Sequence, residues 1–124
     1  MRAIVLDEQT ALRILRGGQQ WIVKGRPTRL RERVAIVVRD RALGVVILEG
    51  SRPAGEGKYR WRIRCPIPFL KPVKVKRKRG QSLWARLDRE DAKKVEEALE
   101  EAVSRLEVEG CPGDILRYLK PLSR

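Results

Sequence analysis

The chain has 124 residues, 42% apolar and 36% charged, which fits one domain able to bury about two thirds of its unfolded surface. No apolar run approaches the roughly 18 residues that cross a bilayer as a helix, so no membrane partner is expected. Twenty-nine Lys and Arg against 16 Asp and Glu leave a net charge of +13 with no histidine, which excludes histidine triads and histidine proton shuttles.

Residues 1–6 read as a short strand without the apolar stretch or small-residue cleavage site of a secretory leader, so a cytoplasmic protein is expected. Asp7 fits the N-cap of a helix through Arg16 that is apolar at Ala11, Leu12, Ile14 and Leu15, with Gly17-Gly18 as its stop. Residues 20–24 predict a strand, and 25–31 a cationic loop whose Gly and Pro fix the backbone. Two β-branched runs, 34–38 and 44–48, predict buried strands joined by a turn over 39–43.

Pro53, Gly55 and Gly57 mark 51–57 as a loop. The stretch after it alternates strictly, with Tyr59, Trp61 and Ile63 on one face and Lys58, Arg60, Arg62 and Arg64 on the other. Same-face residues on a strand stand about 6.7 Å apart, near the per-strand phosphate spacing of an extended nucleic acid. The same row also fits an edge strand that deters edge pairing with cations. Three prolines predict that 65–72 is irregular. Residues 73–79 read as a further strand with a cationic cluster, Lys74, Lys76, Arg77, Lys78 and Arg79, and 80–84 close the β region. Asp88 opens the one long helix, acidic in its first turn and apolar at Ala92, Val95, Leu99, Ala102, Val103 and Leu106. Its exposed face pairs Lys93 with Glu97 and Glu101 with Arg105, and Gly110 ends it. Asp114 fits the cap of a short last helix.

The charge is unevenly placed. Residues 1–85 hold 21 basic and six acidic side chains, 86–114 hold five and ten, and 115–124 add three basic ones. A cationic body of this kind attracts polyanions, of which nucleic acid is the commonest inside a cell. The absence of Asn, the single Met and the surplus of Glu, Lys and Arg form a thermophilic composition, which supplies an alternative purpose for part of the charge. Cys65 and Cys111 form no CxxC pair and have no histidine to join them, so neither a metal nor a cofactor is expected. Two free thiols are expected, a bridge between them being the alternative open to a hyperthermophile. Neither glycine-rich phosphate loop motif occurs, which excludes nucleotide hydrolysis.

The order of segments then resembles a known family. A helix over 11–16, Gly17-Gly18-Gln19-Gln20-Trp21-Ile22-Val23-Lys24, Pro27-Thr28-Arg29-Leu30-Arg31 and an apolar strand are similar to the ASCH domain of the PUA-like superfamily, with its G-x-K-x-x-E-x-R and P-T-x-x-R segments. Tyr59-Arg60-Trp61, Pro66-Ile67-Pro68-Phe69, Pro72-Val73-Lys74-Val75 and Gly80-Gln81-Ser82-Leu83-Trp84 resemble its Y-x-W, proline-rich and G-x-x-x-W segments. The resemblance spans about residues 1–86. It implies a PUA-like β-barrel flanked by helices; with the acidic helix read from Asp88 onward, the expectation is a single α+β domain, its barrel over about 1–86 and a C-terminal helical extension over about 87–124. It also implies a cleft between the helix-to-strand loop and the barrel, and association with RNA or modified nucleosides. Some bacterial members are described as N4-acetylcytidine amidohydrolases, and ribonuclease activity is attributed to others. This chain carries Gln19, Ile22 and Lys24 where the motif has Lys, Glu or Thr, and Arg, and neither an amide nor an isoleucine handles protons or attacks a substrate.

The expected function is therefore nucleic-acid binding by a monomer without catalysis, with RNA favoured over DNA. Gln19 can offer its amide to a base edge, Lys24, Arg26, Arg29 and Arg31 can hold phosphate, and Thr28 can bond either. Lys58, Arg60, Arg62, Arg64, Lys74, Lys76, Arg77, Lys78, Arg79 and Gln81 complete the expected surface. Trp21 is the aromatic expected at the cleft, while Trp61 and Trp84 are expected largely in the core. An enzyme reading, hydrolysis of RNA or a modified nucleoside, would have to use Lys24, Thr28 and the strand-end acid Glu49. A third reading, an architectural or ribosome-associated protein held by charge alone, needs no cleft.

Overall fold

The computed structural model describes residues 1–76 and 84–105, the side chain of Arg105 excepted. Its elements are β1 (Arg2–Val5), α1 (Glu8–Leu15), β2 (Trp21–Lys24), β3 (Arg31–Val38), β4 (Arg41–Gly55), β5 (Lys58–Lys74), β6 (Trp84–Arg86) and α2 (Arg89–Arg105). The six strands form one mixed sheet in the order β2-β5-β4-β3-β1-β6. Only β1 and β3 run parallel; the other neighbours are antiparallel. The α+β chain thus forms a sheet curled into a half-barrel with two helices.

The apolar runs in β3 and β4 follow from burial on both faces. Ala35 and Val37 of β3 belong to a cluster with Ala92, Val95, Leu99 and Ala102 of α2, whereas Val34 and Ile36 join Ala11, Ile14 and Leu15 of α1. Asp7 caps α1 by accepting from the Thr10 N–H at 3.0 Å. At the start of α2, Asp88 accepts from the Asp91 N–H at 2.7 Å, and the buried Asp91 carboxylate accepts from the Lys76 N–H at 2.7 Å. An ion pair between Arg33 and Glu96 ties α2 to β3.

Curling brings distant strands together. Trp61 of β5 is fully buried, stacks on Trp84 of β6 with centroids 5.3 Å apart, and donates its indole N–H to the Arg26 carbonyl at 2.8 Å. A buried aromatic pair of this kind contributes about 0.5–1.5 kcal/mol beyond its area. The close layer at Gly44 has a steric cause, since a Cβ there would lie 2.6 Å from both the Ile67 carbonyl oxygen and Leu15 Cδ2.

Three expectations are corrected. The segment 51–57 is not a loop: β4 runs through Gly55, and Glu56-Gly57, both at positive φ, form a two-residue hairpin turn that pairs Gly55 with Lys58. Beyond Glu49, β4 has no β3 partner, so Pro53 lies where its missing N–H interrupts no ladder on that side. The segment 65–72 is likewise not irregular, because β5 continues through it to Lys74 and absorbs 73–74 as well. Past Ile63 no described strand flanks β5 on its β2 side, which leaves an edge that tolerates Pro66, Pro68 and Pro72. A bulge at Cys65, where φ is 49°, takes up the extra residue between the Ile47↔Arg64 and Val45↔Ile67 pairs. The turn at 39–43 is shorter than expected, Arg39-Asp40 alone linking Val38 to Arg41.

The expected last helix, the end of α2 at Leu106 and Gly110, and Cys111 lie outside the described residues. Among the described residues no helix is long and apolar enough to cross a membrane.

Candidate nucleic-acid interface

Arg60 and Arg62 of the alternating row lie within the sheet, between β2 and β4, which removes the edge-protection explanation for these two. Arg62 pairs with Trp21 and Arg60 with Val23 on β2, and Arg60 pairs with Arg52 on β4. Directly opposite residues share a face, so alternation puts Trp21, Val23, Arg52, Arg60 and Arg62 on the outer surface. Tyr59, Trp61 and Ile63 pack on the inner side. Farther along β4, Glu49 pairs with Arg31 of β3.

The outer face borders an open groove of about 650 Å³, lined by Gln20, Trp21, Thr28, Arg29, Arg31, Glu49, Gly50, Ser51, Arg52, Pro53, Arg60 and Arg62. Among the described residues, five guanidinium groups therefore surround one carboxylate. The loop after β2 is pinned to β4 by a reciprocal bond: the Thr28 N–H donates to Ser51 Oγ at 2.8 Å, and that hydroxyl donates to the Thr28 carbonyl at 3.0 Å. Gly50, at φ 73°, donates its N–H to the Leu30 carbonyl at 2.9 Å in the same wall. The Thr28 hydroxyl accepts from the Leu30 N–H at 3.2 Å. These bonds fix the backbone that carries Arg29 and Arg31.

Glu49 orders the arginines beside it. Its Oε2 accepts from Arg64 Nη1 at 3.0 Å, and its Oε1 stands 3.8 Å from Arg62 Nε. Trp21, 46% exposed, stands where this groove meets a second cavity of about 460 Å³ lined by Gly17, Gly18, Gln19, Gln20, Trp21 and Val23. The Arg60 guanidinium lies over the Trp21 ring, 5.1 Å from its centroid, in a cation–π arrangement.

The groove unites Trp21, Thr28, Arg29, Arg31, Arg60 and Arg62 of the expected surface, with Arg64 attached through Glu49. Gln19 lines only the adjoining cavity, where its Nε2 donates to the Trp21 carbonyl at 2.8 Å. Lys24 alternates onto the side of buried Ile22, away from Trp21, and Arg26 is exposed outside the groove. Lys58 stands at the hairpin end of β5, and Lys74 at the other end opposite Arg41. Lys76 stands at the N-terminus of α2, its ammonium 3.2 Å from Glu90 Oε2 and 3.7 Å from Asp88 Oδ2. Arg77, Lys78, Arg79 and Gln81 lie outside the described residues. Of the residues an enzyme would use, Thr28 and Glu49 share the groove and Lys24 does not. No group of three His, Cys, Asp or Glu suited to a metal occurs among the described residues.

Gln20, Ser51, Arg52 and Pro53 also line the groove, although the sequence reading placed the last three in a loop. The one local signal for them was Gly57, which readily takes the positive φ of a tight hairpin turn, but Glu56 before it is not a residue that favours such a turn. No protein-family model and no curated protein sequence matches the chain.

Proposed function

We propose that this protein binds nucleic acid, RNA in preference to DNA, through the arginine groove and without catalysing a reaction. The observation that carries this reading is the groove itself, where, among the described residues, five arginines, one acid and an exposed tryptophan line a space of about 650 Å³. Arginine supplies a planar fork of donors that matches phosphate oxygens and stacks on flat rings, so the arginines of the lining suit phosphate and base recognition. The rigid sheet and the Ser51–Thr28 clasp hold the donors in place before a ligand arrives. The curled sheet with flanking helices accords with an ASCH-like domain, and the preference for RNA rests on that resemblance. Buried Ile22, 4% exposed, serves the core at a position where the family motif has a proton-handling residue. The hydrolytic alternative would also need Lys24, which stands away from Thr28 and Glu49.

The test compares two double substitutions that remove the same charge. Binding of a fluorescent 12-nucleotide RNA by Arg31→Gln/Arg62→Gln should weaken at least tenfold, in keeping with about 1.4 kcal/mol or more from two charge-assisted phosphate contacts. Lys58→Gln/Lys74→Gln, at the two ends of β5, should weaken it less than threefold. Equal losses would favour attraction by overall charge and defeat the groove.

A further inference from the structure

We infer that the groove takes a single strand and seats one unpaired base on the outer face of Trp21, where Arg60 holds the place of that base in the free protein. The inference rests on the nucleic-acid reading and adds the class of strand. Trp21 is carried by a sheet-edge strand yet is well fixed: its backbone is paired with Arg62 of β5, and its carbonyl accepts from the Gln19 side chain at 2.8 Å. One wall of the adjoining cavity is Gly17-Gly18, and no atom lies within 4 Å of where a Gly17 side chain would begin. A flat ring thus stands beside an open cavity of about 460 Å³, walled in part by two glycines, on one flank and the arginine groove on the other.

The separation between Arg60 and Trp21 decides what can happen at the ring. At 5.1 Å from the centroid the guanidinium covers the face but leaves too little room for a second flat group. A base between them would require about 6.8 Å, twice the axial repeat of stacked bases. Arg60 is exposed and carries a long flexible side chain, so it can withdraw and then cover the far side of the base with its own plane. Arg29, Arg31, Arg52 and Arg62 meanwhile face the flanking phosphates. The bases of a duplex already stack on their neighbours and cannot present a face to a ring seated between two cavities.

The test titrates the full chain with a 12-nucleotide RNA, the DNA strand of the same sequence, and the corresponding duplexes. Wild type should bind the single strands at least tenfold more tightly than the duplexes, and binding should quench tryptophan emission. Trp21→Leu should lose about 5- to 150-fold on single strands, the range of one base–aromatic stack, and less than twofold on duplexes. Trp21→Phe should stay within about threefold of wild type while losing the quench, because Trp61 is fully buried and half-buried Trp84 stacks on it against the inner cluster, away from the outer face. Equal losses on single strands and duplexes, or no loss on either, with wild-type binding intact, would overturn this inference alone. A wild-type protein that binds none of the four would overturn the nucleic-acid reading and this inference with it.

Discussion

Arg64 donates through Nη1 to Glu49 Oε2 at 3.0 Å, while the other Glu49 oxygen stands 3.8 Å from Arg62. Glu49, the one carboxylate of the groove among the described residues, therefore holds two guanidiniums in register and, at the same time, offsets part of the field that attracts phosphate. The two roles oppose each other, and for exposed arginines the ordering contribution is small, about 0–1 kcal/mol. Arg62 and Arg64 are 65% and 44% exposed at their side chains, so relief of the negative charge outweighs lost ordering. Glu49→Gln, which keeps shape and removes charge, should strengthen RNA binding about two- to fivefold at low salt. A tenfold weakening by fluorescence anisotropy would instead make Glu49 a direct ligand contact.

The helix caps predict a pH dependence of stability. The N–H of Asp91 bonded to its side chain, then the nearby Lys76 ammonium, hold the Asp88 carboxyl below its usual range, and Thr10 does the same for Asp7. A carboxyl with a lower folded than unfolded pKa stabilises above the unfolded value of about 3.9, and that contribution fades as pH falls through the folded value. The thermal midpoint should therefore decline as pH drops below about 4, and Asp88→Asn, which keeps a capping acceptor without the charge, should show a shallower decline. Glu90, first by its hydrogen bond and then by its charge, raises the Lys76 ammonium. Its contribution is complete below the unfolded value of about 10.4 and is lost as pH rises through the higher folded value. An identical acid limb in wild type and Asp88→Asn would remove the cap from the account.

Much of the site was legible because it depends on local periodicity. The alternation from Lys58 to Arg64 places its arginines on one face whatever the neighbouring strands are, and Asp7 and Asp88 cap helices as short-range chemistry dictates. The prolines of β4 and β5 misled for a tertiary reason. Proline disrupts a strand only where its N–H is required, and neither the reach of β4 beyond β3 nor that of β5 beyond β2 is encoded locally. The stack of Trp61 on Trp84 and the convergence of Arg31 with Arg62 depend likewise on how the sheet curls. Lys24 shows the converse error: proximity in sequence to Trp21 suggested a shared cleft, but three positions along a strand reverses the face.

The slope of log K against log salt for a single-stranded RNA tests the central claim most directly, since it counts the phosphates that the groove neutralises. With Arg29, Arg31, Arg52 and Arg62 on phosphates and Arg60 on the base, the wild-type slope should be about −2.8, at roughly −0.7 per phosphate. For Arg31→Gln/Arg62→Gln it should flatten to about −1.4. A slope that is the same in wild type and variant would contradict the account, because the bound phosphates would then lie elsewhere on the cationic surface.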